Sequence, residues 1–259
     1  MRKRSSIQIM VDTVHALMMR EIKTRFGSNR LGYFWALAEP IGQVAILGLI
    51  FSLMGRSSVA NIPIALFLFT GKLPFSLFTK LLTQITAAVE SNKGLLSYRQ
   101  VSAIDPVITR VLIEVATYLV VYLIIFAFMA WLGFEVLPDD LLGVLAASGL
   151  LIIFSVGIGL IFCTAASYWK DTSKLVGMIT MPMFFVSGIF FCATSIPPQY
   201  LYLFDWNPVF HAIELGRDAS FSAYTTPIGS WLYLSLLALV SFSLGLAMFH
   251  LSRMRFLIT

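Results

Sequence analysis

Residues 115–133 read VATYLVVYLIIFAFMAWLG, nineteen positions without one charged side chain. A helix crosses the hydrocarbon of a bilayer in about 20 apolar residues. This stretch has that length and composition, and it anchors a span placed at 107–133. Five more stretches of the same kind lie around it. They fall at 32–54, at 61–82 (interrupted by Gly71, Lys72 and Pro74), at 141–166, at 174–193 and at 231–251. The fourth span, 141–166, is rich in glycine and other small residues.

Composition supports the count. The chain has 259 residues, 58% hydrophobic and 12% charged, with mean hydropathy +0.86. A water-soluble domain carries about 25% charged residues, and a fold this small cannot bury so much apolar surface by itself. Lipid must therefore be the solvent for much of the surface. The net charge of +5 is no nucleic-acid signal, because the basic residues follow the alternation of the spans.

Orientation is read from lysine and arginine. The segment before the first span holds Arg2, Lys3, Arg4, Arg20, Lys23, Arg25 and Arg30. The loop after the second holds Lys93 and Arg99, with Lys80 and Arg110 at its edges. Lys170 and Lys174 follow the fourth span, and Arg253 and Arg255 follow the sixth. The alternate loops are poor in basic residues, with Arg56 in one, Arg217 in another, and none in the one that carries Glu135, Asp139 and Asp140. Both termini are thus expected in the cytoplasm. No cleavable leader is expected, since Asp12 and His15 interrupt any apolar core near the start.

Residues 7–26 form an amphipathic helix in this reading. Ile7, Met10, Val11, Val14, Leu17, Met18 and Ile22 share one face, with Asp12, Thr13, Arg20 and Lys23 opposite. A basic helix of this kind lies in the membrane surface, as an anchor or as a docking surface for a cytoplasmic partner. Glu21 and Arg25 stand in the favourable order for a helix ion pair. Residues 194–230 are too apolar and aromatic for an ordinary loop. Two short helical stretches broken at Pro208 are expected, forming a re-entrant hairpin over 194–220. The competing reading is an aromatic belt on the outer surface.

Catalytic groups are sparse. Cys163 and Cys192 lie in apolar runs and read as packing residues. His15, His211 and His250 are scattered, so no metal set is expected. Arg110 and Glu114 read as a structural ion pair. There is no GxxxxGK[ST] loop and no HExxH. A transporter built this way must take its energy from another subunit. The competing class is an intramembrane enzyme, such as an acyltransferase.

Four stretches carry a resemblance: MMREIKTRFGSNRLGYFWALAEP (18–40), LFLFTGKLPFSLF (66–78), ESNKGLLSYRQVSAID (90–105) and SIPPQYLYLFDWNPVFHAIELGRDA (195–219). Together they resemble type-2 ATP-binding-cassette exporter permeases, and most closely the KpsM-type permeases that export capsular polysaccharide in Gram-negative bacteria. The likeness covers essentially the whole chain. It implies an all-α integral membrane fold: a cytoplasmic interface helix in 1–31, then a six-helix bundle over 32–259 with a broken second span and a re-entrant hairpin between helices five and six.

The resemblance also implies partners. The chain would form a homodimer and pair with two copies of a separate ATPase, which alone binds ATP and Mg. A periplasmic co-polymerase and an outer-membrane channel would complete the path of a lipid-linked acidic polysaccharide. O-antigen or teichoic-acid export on the same fold is the alternative. Arg20, Glu21, Glu90, Lys93, Tyr98 and Arg99 are the candidates for ATPase contact. Lys23, Arg25, Arg30, Tyr33, Phe34, Trp35 and Lys72 are the candidates for the substrate path. Tyr200, Tyr202, Trp206 and Asn207 are assigned to an outer gate. Lys72 stands where the family pattern leads one to expect an apolar residue, so its role is not carried over.

Overall fold

The protein is described from a computed structural model, which covers residues 5–26, 32–55, 58–98 and 100–258. It is helical almost throughout. Helix α1 (Ser6–Phe26) precedes α2 (Gly32–Leu53). A two-stranded hairpin, β1 (Ser58–Val59) and β2 (Ile62–Pro63), leads into α3 (Ile64–Thr86). A 3-10 turn at Glu90–Asn92 and the short α4 (Lys93–Leu96) connect to α5 (Asp105–Trp131). Then follow α6 (Leu141–Tyr168), α7 (Thr172–Val186), 3-10 turns at Ala193–Ser195 and Pro198–Leu203, α8 (Pro208–Ser220), α9 (Trp231–Leu251) and α10 (Arg255–Ile258).

Among the described residues, α3, α5, α6 and α9 are long and apolar enough to cross a membrane. The other two expected spans coincide with α2 (Gly32–Leu53) and the shorter α7 (Thr172–Val186). The fifth span was expected to reach 193, but its helix stops at Val186. The chain turns at Gly188, whose φ of +74° is left-handed and suits a residue without a Cβ. The second span is one continuous helix, with Pro74 inside it and no break at Gly71 or Lys72. Proline removes one backbone donor there, and close packing on most sides of α3 holds the helix together.

Lipid offers little drive for apolar helices to associate, so the tightest contacts are made where side chains are smallest. This is how α6 meets α9. A Cβ placed on Gly157 would come within 2.4 Å of the Phe242 nitrogen, and one on Gly245 within 2.4 Å of the Gly157 carbonyl oxygen. The glycine-rich composition of the fourth span therefore has a structural cause. α3 is the central helix: Phe67, Leu68, Leu81 and Ile85 are fully buried against α6, α8 and α5. Cys163 and Cys192 are buried free thiols, as expected of packing residues.

α1 packs on α5 at one end of the bundle, hereafter the α1 end. Its apolar face is only partly used. Leu17 is buried, while Ile7 and Val11 remain exposed. The β-hairpin, α8 and the start of α9 occupy the opposite, hairpin end.

The glycine contact sets a prediction. Gly157→Val or Gly245→Val must push two backbones apart. Overpacking costs about 1–3 kcal/mol, so the detergent-solubilised protein should melt about 5 °C lower, measured by size-exclusion after heating. Gly149→Val, at a position with open space around it, should leave the melting temperature in place.

Candidate functional site

At the α1 end three elements are tied by one arginine. Arg110, in the first turns of α5, donates Nη1 to the Gln84 carbonyl at 2.6 Å and Nη2 to Ser91 Oγ at 2.6 Å. Its Nε faces Glu21 Oε1 of α1 at 3.2 Å, and both side chains are largely buried. One residue away on α1, Arg20 Nη2 donates to the Asn92 side-chain oxygen. The end of α3, the 3-10 turn, α1 and α5 are thereby clasped together. The Arg110 guanidinium reaches an ionic partner on α1, far away in the sequence.

The coupling candidates lie around this clasp. Glu90 and Lys93 pair with each other at 2.5 Å, and Tyr98 is exposed. Between α1 and the chain that follows α4 lies a groove of about 680 Å³, lined in part by Asp12, Leu17, Arg20, Leu95 and Tyr98. Arg30 and Arg99 lie outside the described residues. For Arg25, Tyr33 and Phe34 only the backbone is described, within α1 and α2. Lys23 is exposed on α1, and Trp35 is exposed near the start of α2.

The hairpin end holds a second polar assembly that the sequence reading missed. α8 is buried on almost every side. Asn207 caps it, its Oδ1 accepting from the Val209 nitrogen at 3.0 Å, while Nδ2 donates to Ser187 Oγ at 3.1 Å. Asn207 is fully buried and pins α8 to the end of α7; it presents nothing to an outer surface. Tyr200, Tyr202 and Trp206 are exposed, and the Trp206 carbonyl accepts from the Tyr233 hydroxyl at 2.7 Å. His211 is fully buried, with Nδ1 accepting from the Ser230 nitrogen at 3.2 Å and Nε2 donating to the Asp205 carbonyl at 2.8 Å. That pattern needs only a neutral imidazole, fixed in one tautomer.

Glu214 and Arg217 form the centre. Neither is accessible to solvent, and they pair at 3.2 Å. Arg217 Nη1 donates to the Gly188 carbonyl at 2.6 Å and to Phe191 at 3.3 Å, and Nη2 donates to the Phe67 carbonyl of α3 at 3.2 Å. The guanidinium also stacks on the Phe67 ring, 3.8 Å from its centroid. A Cβ at Gly71 would come within 2.5 Å of Nη2, so this glycine makes room for the arginine. Glu214 Oε2 accepts from the Ala193 nitrogen at 3.1 Å, from Thr226 Oγ1 at 3.3 Å and from the Tyr224 hydroxyl. Tyr224 lies in the connection to α9. Burial first, then the Glu214 carboxylate, push its phenol above the ordinary range, which keeps it a donor. A charged pair three residues apart in an apolar stretch was the available signal; Arg217 was read as a loop charge instead.

No group of three or more histidine, cysteine or acidic side chains is placed to hold a metal among the described residues. The two assemblies are made for holding helices in place, and they lie at opposite ends of the bundle. Long helices join the α1 end to the hairpin end.

The family profile described as ABC-2 type transporter matches residues 13–221. The chain belongs to the ABC-2 type transporter family. Within it, the chain is 38% identical to the polysialic acid transport protein KpsM of Escherichia coli, over 95% of this chain and 96% of that protein. It is 28% identical to the capsule polysaccharide export inner-membrane protein CtrC of Neisseria meningitidis serogroup B, over 94% and 92%. It is 24% identical to the O-antigen export system permease protein RfbA of Klebsiella pneumoniae, over 99% and 98%. This ABC-2 chain carries both polar assemblies inside or just beyond the matched region.

Two predictions follow from the assemblies. Arg217→Met strands the Glu214 carboxylate and frees three carbonyls; breaking a buried pair costs about 3–5 kcal/mol, read as lost folded yield. Adding Glu214→Gln to it should recover part of that loss. At the clasp, Glu21→Gln and Arg110→Gln should each destabilise, and the double variant should lose less melting temperature than the two single losses added, a coupling that a double-mutant cycle measures.

Proposed function

We propose that this chain is the membrane subunit of an ATP-driven exporter that moves a lipid-linked capsular polysaccharide out of the cytoplasm. The observation that carries this reading is similarity along nearly the whole chain to relatives named for polysialic acid transport and capsule polysaccharide export. In this reading the protein sits in the inner membrane with both termini in the cytoplasm. It crosses six times, with α2 and the shorter α7 completing the set. The chain around 187–220 is a re-entrant hairpin entered from the outer side, and Tyr200, Tyr202 and Trp206 stand near its mouth.

The protein works as a homodimer with two copies of a separate ATPase. Motion enters at the clasp: the groove beside α1 receives the ATPase, with Glu90, Lys93, Tyr98 and Arg99 at its edge. Displacement of the turn at Glu90–Asn92 passes through Ser91 and Arg110 into α5, and through Arg20 and Glu21 into α1. The basic residues Lys23, Arg25 and Arg30 gather anionic lipid at the inner surface, where each charge contributes about 1 kcal/mol. Tyr33, Phe34 and Trp35 offer faces on which sugar rings stack. A co-polymerase and an outer-membrane channel continue the path. Export of an O-antigen glycolipid is the second reading, favoured by the likeness to RfbA.

Reconstitution in nanodiscs with a candidate ATP-binding-cassette ATPase from the same organism tests the proposal. Two permease and two ATPase subunits should co-purify, and a lipid-linked capsular polysaccharide should stimulate ATP hydrolysis several-fold over lipid alone. A permease that binds no ATPase, or turns over a substrate without one, sinks the reading. Preferential stimulation by an O-antigen glycolipid would select the second.

A further inference from the structure

Helix α3 is the most enclosed of the long spans, yet one stripe of it is left uncovered. At 100° per residue, Lys72, Ser76, Thr79, Lys80 and Thr83 fall within an arc of about 100°. They are half-buried or exposed, while Leu73, Phe75, Leu77, Phe78, Leu81 and Leu82 around them are buried. The stripe contains two cations within a membrane-spanning helix. Eight residues separate them, about 12 Å along the axis.

Neither ammonium has an ion pair or hydrogen bond among the described residues. Lys72 Nζ instead lies 4.7 Å from the centroid of Phe184 on α7. Glu39 of α2, held by Gln43 at 3.4 Å, shares the cleft; it and Lys80 are the charges whose fields reach Lys72. On the α5 side, Glu39, Gln43, Ser76, Lys80, Glu114 and Thr117 line a pocket of about 50 Å³, room for one or two waters. Beyond Lys72, toward the hairpin end, Phe190 joins the two walls. It stacks on Phe51 of α2 at 6.4 Å and meets Phe184 at 5.1 Å and Phe185 at 6.0 Å.

An unpaired charge inside a membrane is costly and marks a cavity or a path. Two ammonium groups with hydroxyls between them, roofed by aromatic rings, suit a ligand that carries both negative charge and hydroxyls. Lysine is also a point charge on a flexible stem and lacks the fixed fork of arginine. It holds a carboxylate without locking its orientation, so a chain in motion can pass from one lysine to the next.

We propose that this stripe of α3 reads the charge of the cargo, with Lys72 and Lys80 taking successive carboxylates of an acidic glycan and Glu39 serving as their counter-charge when the cleft is empty. The inference rests on the export reading and adds a selection rule to it.

The test uses the complete permease–ATPase complex in nanodiscs and two probes: a lipid-linked oligosaccharide of uronic acids, and the same molecule with its carboxylates reduced to alcohols. Wild type should respond to the acidic probe at lower concentration. Lys72→Gln with Lys80→Gln should raise the half-saturating concentration of the acidic probe about tenfold and leave that of the reduced probe in place. Lys72→Arg with Lys80→Arg should recover most of the response. Size-exclusion and co-purification with the ATPase report folding. If the glutamine pair does not fold, Lys72→Met and Lys80→Met, singly, carry the same comparison into an apolar surround. A double variant that answers the acidic probe as wild type does overturns the inference, as does an equal loss for both probes. A wild-type complex indifferent to both counts against the export reading itself.

Discussion

One arginine with no access to water holds the hairpin end together. After Val186 the chain leaves its helix inside a largely apolar body, and its carbonyls lose their helical partners. Backbone groups left unsatisfied in hydrocarbon cost several kcal/mol each. Arg217 supplies donors to Gly188 and Phe191 on one side and to Phe67 on the other. The turn, α8 and the central helix α3 are thus fixed by a single planar group. Its own charge is tolerated because Glu214 lies beside it, and Glu214 in turn is satisfied by Tyr224, Thr226 and Ala193. Gly71 leaves room for the guanidinium, and Asn207 adds a separate tie between α8 and the end of α7.

The same logic appears with different consequences at the α1 end. There the Arg110 guanidinium also bridges three elements, but its partners lie nearer the surface, beside exposed Tyr98 and the Glu90–Lys93 pair. A buried network resists rearrangement, whereas one at the rim of a groove can be reached and displaced by another protein. The Glu214–Arg217 pair at the hairpin end is wholly enclosed, and the network at the α1 end borders a groove. α3 and α5 run between them.

Much of this was legible in the chain. The apolar runs at 107–133, 141–166 and 231–251 became α5, α6 and α9 with shifts of about two residues, because lipid exposure imposes a composition that local reading detects. The amphipathic register of residues 7–26 became α1 for the same reason. Pairings between distant segments were not legible. Nothing near Arg110 in sequence points to its pairing with Glu21. Arg217 reads as a stray loop charge until Phe67, 150 residues earlier, is brought beneath it. Pro74 reads as a break because propensity speaks of an isolated helix, and α3 is held by its neighbours. Asn207 is assigned to an outer gate from the sequence, and the structure uses it as a helix cap.

The glycine seam between α6 and α9 bears on how the protein is made. α6 is complete at Tyr168, but 62 residues (169–230) separate it from the start of α9. During synthesis the small-residue face of α6 enters the bilayer before the helix meant for it exists. Until α9 is released into the membrane, lipid chains must fill that face, or another protein must guard it. Assembly of this bundle therefore finishes late, when its last long span displaces whatever has been holding the place.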